Sequence, residues 1–136
     1  MMPASTRIFV CAEPVDMRRS FDGLARCTRE LLSHDPSSGA LFIFTGKRGT
    51  SLKALWWDQT GYCILYKRLS RGEFRLPAAI GDTNSVLIDA RELALILEGI
   101  ELPSRRRQMK AVAKQSREKA LRAIASVDTT TEHEQR

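Results

Sequence analysis

Lys47-Arg48, set between Gly46 and Gly49, opens a run of cations that continues through Lys53, Lys67-Arg68, Arg71 and Arg75. Flat aromatic residues are spaced among them: Trp56-Trp57, Tyr62, Tyr66 and Phe74. Ammonium and guanidinium groups meet phosphate and release its counterions, while aromatic faces stack on bases or support the surface. The same interleaving occurs in an ordinary small sheet, where the cations form a solvated rim beside Asp58 and Glu73. Two readings therefore stand together, a phosphate- or partner-facing patch and a solvated rim. A second cationic pair, Arg18-Arg19, sits in the string Asp16-Met17-Arg18-Arg19-Ser20-Phe21-Asp22-Gly23-Leu24. Cations there oppose the dipole of a helix that starts at Asp16, which hints at use unless Asp16 and Asp22 neutralise them.

Catalytic chemistry finds little footing. Gly46-Lys47 suggests a phosphate loop, but Leu41 stands where the first glycine belongs and Arg48 where Ser or Thr belongs, so the motif fails at both ends. His34 and His133 are the two histidines, with no H-E-x-x-H around them, which argues against a histidine triad or a zinc hydrolase. Asp16, Asp22, Asp35, Asp58, Asp82 and Asp89 could in principle gather a Mg²⁺ ion, yet Asp16 and Asp89 suit helix caps and Asp35 and Asp58 suit turns. Cys11, Cys27 and Cys63 are odd in number and widely spaced, which supports neither a disulfide framework nor a structural zinc. The expectation is a chain without catalytic residues, metal or cofactor.

The elements that hold these residues follow from periodicity. Arg7 to Cys11 reads as a short strand. Asp16 then serves as N-cap of a helix to about Ser33, with Met17, Phe21, Leu24, Ala25, Thr28, Leu31 and Leu32 on one buried face. After the turn at Asp35-Pro36-Ser37-Ser38-Gly39, three strands are expected at Ala40–Thr45, Ser51–Asp58 and Tyr62–Leu69, joined as a hairpin meander with Gly61 free to take positive φ. Period two puts Leu52, Ala54 and Trp56 on one face and Lys53, Leu55 and Trp57 on the other. One face should pack on the first helix, and the other should be partly covered or used for contact. A strand at Ser85–Ile88 leads into a second helix with a capping box at Asp89 to Glu92, a buried stripe of Leu93, Ile96, Leu97 and Ile100, and termination at Gly99. The fold class is α+β, a small antiparallel meander packed with two helices, plus a basic C-terminal helical extension.

Charge is uneven along the 136 residues. Residues 1–102 carry 13 Lys and Arg against 12 Asp and Glu, while residues 103–136 carry 9 against 4. The expected division is an α+β domain over 1–102 and a basic helix with polar tail over 103–136. In the tail, Arg106, Lys110, Lys114 and Arg117 fall within an arc of about 80° on a helix, and Arg105 and Arg107 add to the charge. Such a run is either a solvated tail or a polyanion-binding arm. No stretch has the apolar length of a membrane span or of an export signal, so a cytoplasmic location without membrane contact is expected.

Four separated pieces resemble the short accessory protein of bacterial insertion sequences of the sixty-six group, the second reading frame beside their larger transposase. They are Asp16 to Leu24, Asp35-Pro36-Ser37-Ser38-Gly39-Ala40-Leu41-Phe42, Lys53 to Gly61, and Lys67-Arg68-Leu69-Ser70-Arg71-Gly72-Glu73-Phe74 with Pro77. Ser70 and Leu76 depart from the family, whose members often carry Glu and Trp there. The resemblance spans roughly residues 7–102 and implies a non-catalytic protein whose partner is the transposase of the same element, with a sister accessory protein as a further candidate. The residues add the expectation of non-specific DNA-backbone contact through Arg18, Arg19, Lys47, Arg48, Lys53, Lys67, Arg68, Arg71 and Arg75 and the tail cations Arg105, Arg106, Arg107, Lys110, Lys114 and Arg117. Two alternatives remain open: a module that docks on the transposase without touching DNA, and a divergent metal-dependent nuclease.

Overall fold

The computed structural model describes residues 6–79, 81–102, 117 and 119–124. The chain divides into two units, Met1–Leu102 and Pro103–Arg136. In the second unit, residues 117 and 119–124 are helical and exposed. The remainder of the expected tail helix lies outside the described residues.

The first unit is an α+β fold built on a five-stranded sheet of order β4-β3-β2-β1-β5. Its elements are β1 (Ile8–Cys11), α1 (Phe21–Leu32), β2 (Leu41–Thr45), β3 (Ser51–Trp57), β4 (Tyr62–Arg68), β5 (Ser85–Ile88) and α2 (Ala90–Leu97). The meander β2-β3-β4 is antiparallel, as its short Gly-containing connections require. β1 pairs with β2 in parallel, with Ile8 opposite Leu41, because α1 carries the chain back to the same end of the sheet. β5 closes the other side of β1 in antiparallel register.

Both faces of the sheet are covered, which explains why neither face of the strands reads as polar. Phe9, Cys11, Phe42, Phe44 and Leu55 pack with Leu24, Ala25, Cys27 and Leu32 of α1. Val10, Ile43, Leu52, Ala54 and Val86 pack with Ile96, Leu93 and Leu97 of α2 and with Leu69, Phe74 and Leu76 of the loop after β4. β1 and β2 are buried along their whole length in consequence. Trp56 packs against the α2 side, and Trp57 meets Tyr62 edge to face at 4.9 Å on the other side.

α2 forms as its sequence dictates. The Asp89 side chain accepts from Glu92 N at 2.7 Å, and Glu92 Oε1 accepts from Asp89 N at 3.2 Å, a full capping box. Gly99, at φ 73°, ends the helix, and Ile100 N donates back to Leu95 O at 3.0 Å. Ile100 lies past that stop and is half exposed rather than part of the buried stripe.

α1 starts later than Asp16. The Asp16 carboxylate accepts from Arg18 N at 2.9 Å, and Arg19 N donates to Asp16 O at 3.1 Å, so Asp16 closes a turn of its own. The first helical bond runs from Leu24 N to Ser20 O at 2.8 Å, with Ser20 as N-cap. In the β3–β4 turn, Gln59 and not Gly61 takes the left-handed conformation, at φ 53°. Asp58 N donates to Gly61 O at 2.8 Å, which closes the hairpin around it.

Candidate functional site

An open cleft lies on the α1 side of the sheet, between the segment 14–17 and the β2–β3 hairpin loop 46–51, with Arg68 on its wall. Local structure brings these three pieces together. Val15 N donates to Thr45 O at 2.9 Å, which ties the segment before α1 to the end of β2. A side-chain carbon on Gly46 would meet Met17 Cγ at 2.8 Å, so glycine there lets Met17 lie directly against the loop. Gly49 takes φ 72° to close the loop, and its carbonyl accepts from Phe74 N at 2.7 Å. Arg68 joins the wall because the β3–β4 register sets it opposite Ser51, the last residue of that loop segment.

The cleft gathers three exposed cations, Lys47, Arg48 and Arg68. Asp16 also lines it, but its charge is engaged: Arg18 Nε and Nη2 bind its two oxygens, the closer contact at 2.7 Å. That guanidinium, together with the Arg18 backbone N–H, holds the Asp16 carboxyl well below the usual carboxylate range. Arg18 pairs with Asp16 while its side chain stays 92% exposed, and both Arg18 and Arg19 belong to the turn before α1 rather than to its first turn. Asp22 sits exposed in the first turn of α1, and Asp16 takes the role expected of it toward Arg18. Arg19, Arg71 and Arg75 are exposed but do not line the cleft.

Two of the expected contact residues are anchors. Lys53 is buried, its Nζ donates to Arg19 O at 2.7 Å, and it lies 4.8 Å from the centre of the Tyr66 ring. Lys67 Nζ donates to Leu97 O at 2.7 Å, at the C-terminal end of α2, where a cation favours both the unpaired carbonyls and the helix dipole. The adjacent residues Lys67 and Arg68 thus face opposite sides of the sheet and do different things. Lys67→Ala is expected to cost about 1–2 kcal/mol and lower Tm by roughly 5–10 °C, whereas Arg68→Ala leaves Tm within about 2 °C. Differential scanning calorimetry of the two single variants checks this, and equal Tm values would remove the anchor role from Lys67.

The described part of the tail contributes exposed Arg117, while Arg105, Arg106, Arg107, Lys110 and Lys114 lie outside the described residues. Among the described residues, no group of three or more His, Cys, Asp or Glu side chains is placed to hold a metal ion. His34 lies against Phe9 with ring centres 4.0 Å apart and planes tilted by 31°, a packing role. Burial pushes the Cys11 and Cys27 thiols up, which leaves little thiolate for nucleophilic chemistry. No described helix is long and apolar enough to cross a membrane. Sequence reasoning did not assign Thr50 and Ser51 to a site. The signal for Ser51 was the hairpin register that pairs it with Arg68.

Residues 6–107 match the family model described as IS66 Orf2 like protein. Two proteins of Sinorhizobium fredii are similar to the chain. The uncharacterized protein y4hO is 37% identical over 103 residues, 74% of this chain and 88% of its own length. The uncharacterized protein y4jC is 32% identical over 95 residues, 70% of this chain and 80% of its own length. No solved structure matches.

Proposed function

Because the chain belongs to the IS66 Orf2-like family of insertion-sequence proteins, we propose that it is a non-catalytic accessory protein of transposition. It assists the separately encoded transposase of the same element in a nucleoprotein complex, and it holds the DNA backbone without reading sequence. The observation that carries this reading is the convergence of Lys47, Arg48 and Arg68 on one open cleft in which Asp16, the one lining carboxylate among the described residues, is paired with Arg18. Flexible cations around an open groove suit phosphate oxygens, which position a protein on nucleic acid without specifying bases. Arg19, Arg71 and Arg75 are exposed cations outside the cleft lining. The tail cations supply further phosphate partners.

The test is titration of labelled duplex DNA over a range of salt concentrations. Wild type is expected to bind unrelated sequences alike, with log K falling linearly with log salt. Replacing Lys47, Arg48 and Arg68 by Ala removes three phosphate partners and is expected to flatten that slope by about 2–3 while leaving the fold intact. An unchanged slope would take the cleft out of DNA contact. Loss of transposase capture by the same triple variant, in a protein that never bound DNA, would favour the docking module instead.

A further inference from the structure

β4 is an edge strand of unusual character. It has seven residues, its one-to-one register with β3 from Trp57–Tyr62 to Ser51–Arg68 contains no bulge, and it contains no proline. Natural sheets blunt such edges with short strands, prolines, bulges or inward charges. The opposite edge, β5, is only four residues long. The two cations of β4, Lys67 and Arg68, stand together at its C-terminal end, which leaves Tyr62 to Tyr66 uncharged. Leu65 and Tyr66 are 44% and 57% exposed.

The free backbone groups can be named from the ladder. Leu69 N donates to Thr50 O at 2.9 Å and Asp58 N donates to Gly61 O at 2.8 Å, so the hydrogen-bonded pairs alternate from both ends and include Leu65 with Ala54. The N–H and C=O groups of Tyr62, Ile64, Tyr66 and Arg68 therefore point outward. Among the described residues none of them has a hydrogen-bond partner.

We infer that β4 pairs with β4 of a second copy of this chain, antiparallel, about a two-fold axis at Leu65. The four outward residues are spaced symmetrically around that position. In this register Ile64 faces Tyr66 of the second copy and Tyr62 faces Arg68, so all four outward residues pair and about eight backbone hydrogen bonds form. A β-branched residue opposite an aromatic and a cation opposite a ring are favourable cross-strand neighbours. Leu65 meets its own symmetry mate on the α2 side, in the closely spaced type of pair. Antiparallel alignment also keeps the Lys67-Arg68 ends of the two copies apart, whereas a parallel partner of this sequence would stack like charges. The two sheets become one, and both clefts open on the same face, with the two Arg68 positions roughly 20 Å apart along the strands. The pairing goes beyond the accessory reading and does not depend on DNA binding.

Sedimentation equilibrium of the full chain decides it. Wild type is expected to show a reversible dimer with a dissociation constant in the micromolar range, and Leu65→Asp, which sets two carboxylates face to face, is expected to be monomeric with unchanged circular dichroism. Leu65→Cys in a Cys63→Ser background is expected to form a disulfide-linked dimer on mild oxidation, because the paired positions fall within disulfide reach. This second variant keeps the test valid if Leu65→Asp folds poorly. A monomeric wild type would overturn the proposal, and so would a dimer that survives Leu65→Asp or fails to cross-link through Leu65→Cys.

Discussion

Removal of residues 103–136 is expected to weaken binding to duplex DNA about a hundredfold at low salt and to flatten the salt dependence more than any change in the first unit. The segment carries 9 Lys and Arg against 4 Asp and Glu, while residues 1–102 carry 13 against 12. Residues 1–102 are nearly neutral as a whole, so their contribution depends on the placement of a few cations in the cleft, whereas the tail contributes through net charge. Each phosphate neutralised contributes about 0.9 to the slope of log K against log salt, so the nine tail cations, even with partial engagement, outweigh the three of the cleft. The truncated chain should keep its fold, because the sheet, both helices and both apolar clusters lie within residues 8–102. Fluorescence anisotropy of full-length and truncated protein at several salt concentrations gives both affinity and slope. Equal affinities would assign the contacts to the cleft alone. Loss of binding in both the truncation and the cleft triple variant would mean that neither surface suffices by itself.

The parts of the fold that were legible in the sequence are those fixed by neighbours in the chain. α2 is the clearest: Asp89 and Glu92 make the reciprocal cap their spacing prescribes, and Gly99 stops the helix where it stands. The β2-β3-β4 meander follows for the same reason, since short turns leave adjacent strands no other partner. The start of α1 was not legible, because Asp16 has two local options, capping a helix or closing a turn. The turn wins through the bidentate bond to Arg18. The parallel β1–β2 pair and the antiparallel β1–β5 pair join segments far apart in sequence, and only the assembled core selects them.

The site shows the same division. Glycines around Lys47-Arg48 mark an exposed cationic loop, and that is where the loop lies. Cation type and spacing group Lys53 and Lys67 with it but do not say what each amine meets. Period two placed Lys53 with Leu55 and Trp57, which is a buried face, and a buried ammonium must find acceptors. Its acceptor, Arg19 O, is 34 residues away, and that of Lys67, Leu97 O, is 30 away. Distances of that kind are set by packing and cannot be read from local pattern.

Lys53→Ala is expected to be among the most damaging single changes to a charged residue in this protein, costing about 2–4 kcal/mol. The amine donates to Arg19 O at 2.7 Å and covers Tyr66 at 4.8 Å, so it fastens the turn before α1 to the middle of β3 and screens an aromatic ring. Alanine removes the charged hydrogen bond, strands a carbonyl that has lost its donor, and leaves a gap where the stem lay. Lys53→Met separates these terms: it keeps most of the stem and loses only the charge, so it should recover about half of the loss. Lys53→Arg keeps the charge, but the larger guanidinium does not fit a position that is only 8% exposed without shifting the turn. Denaturant unfolding of the three variants orders them. A stability for Lys53→Ala within about 0.5 kcal/mol of wild type would show that the amine is not an anchor and return Lys53 to the surface patch. The same series tests the cleft indirectly, because the turn that Lys53 holds continues into Asp16 and Met17 on the cleft wall. If that turn is held as the structure indicates, Lys53→Met should weaken DNA binding more than the loss of one solvent-exposed cation would, and Arg75→Ala, which removes an exposed cation away from the cleft, is the control.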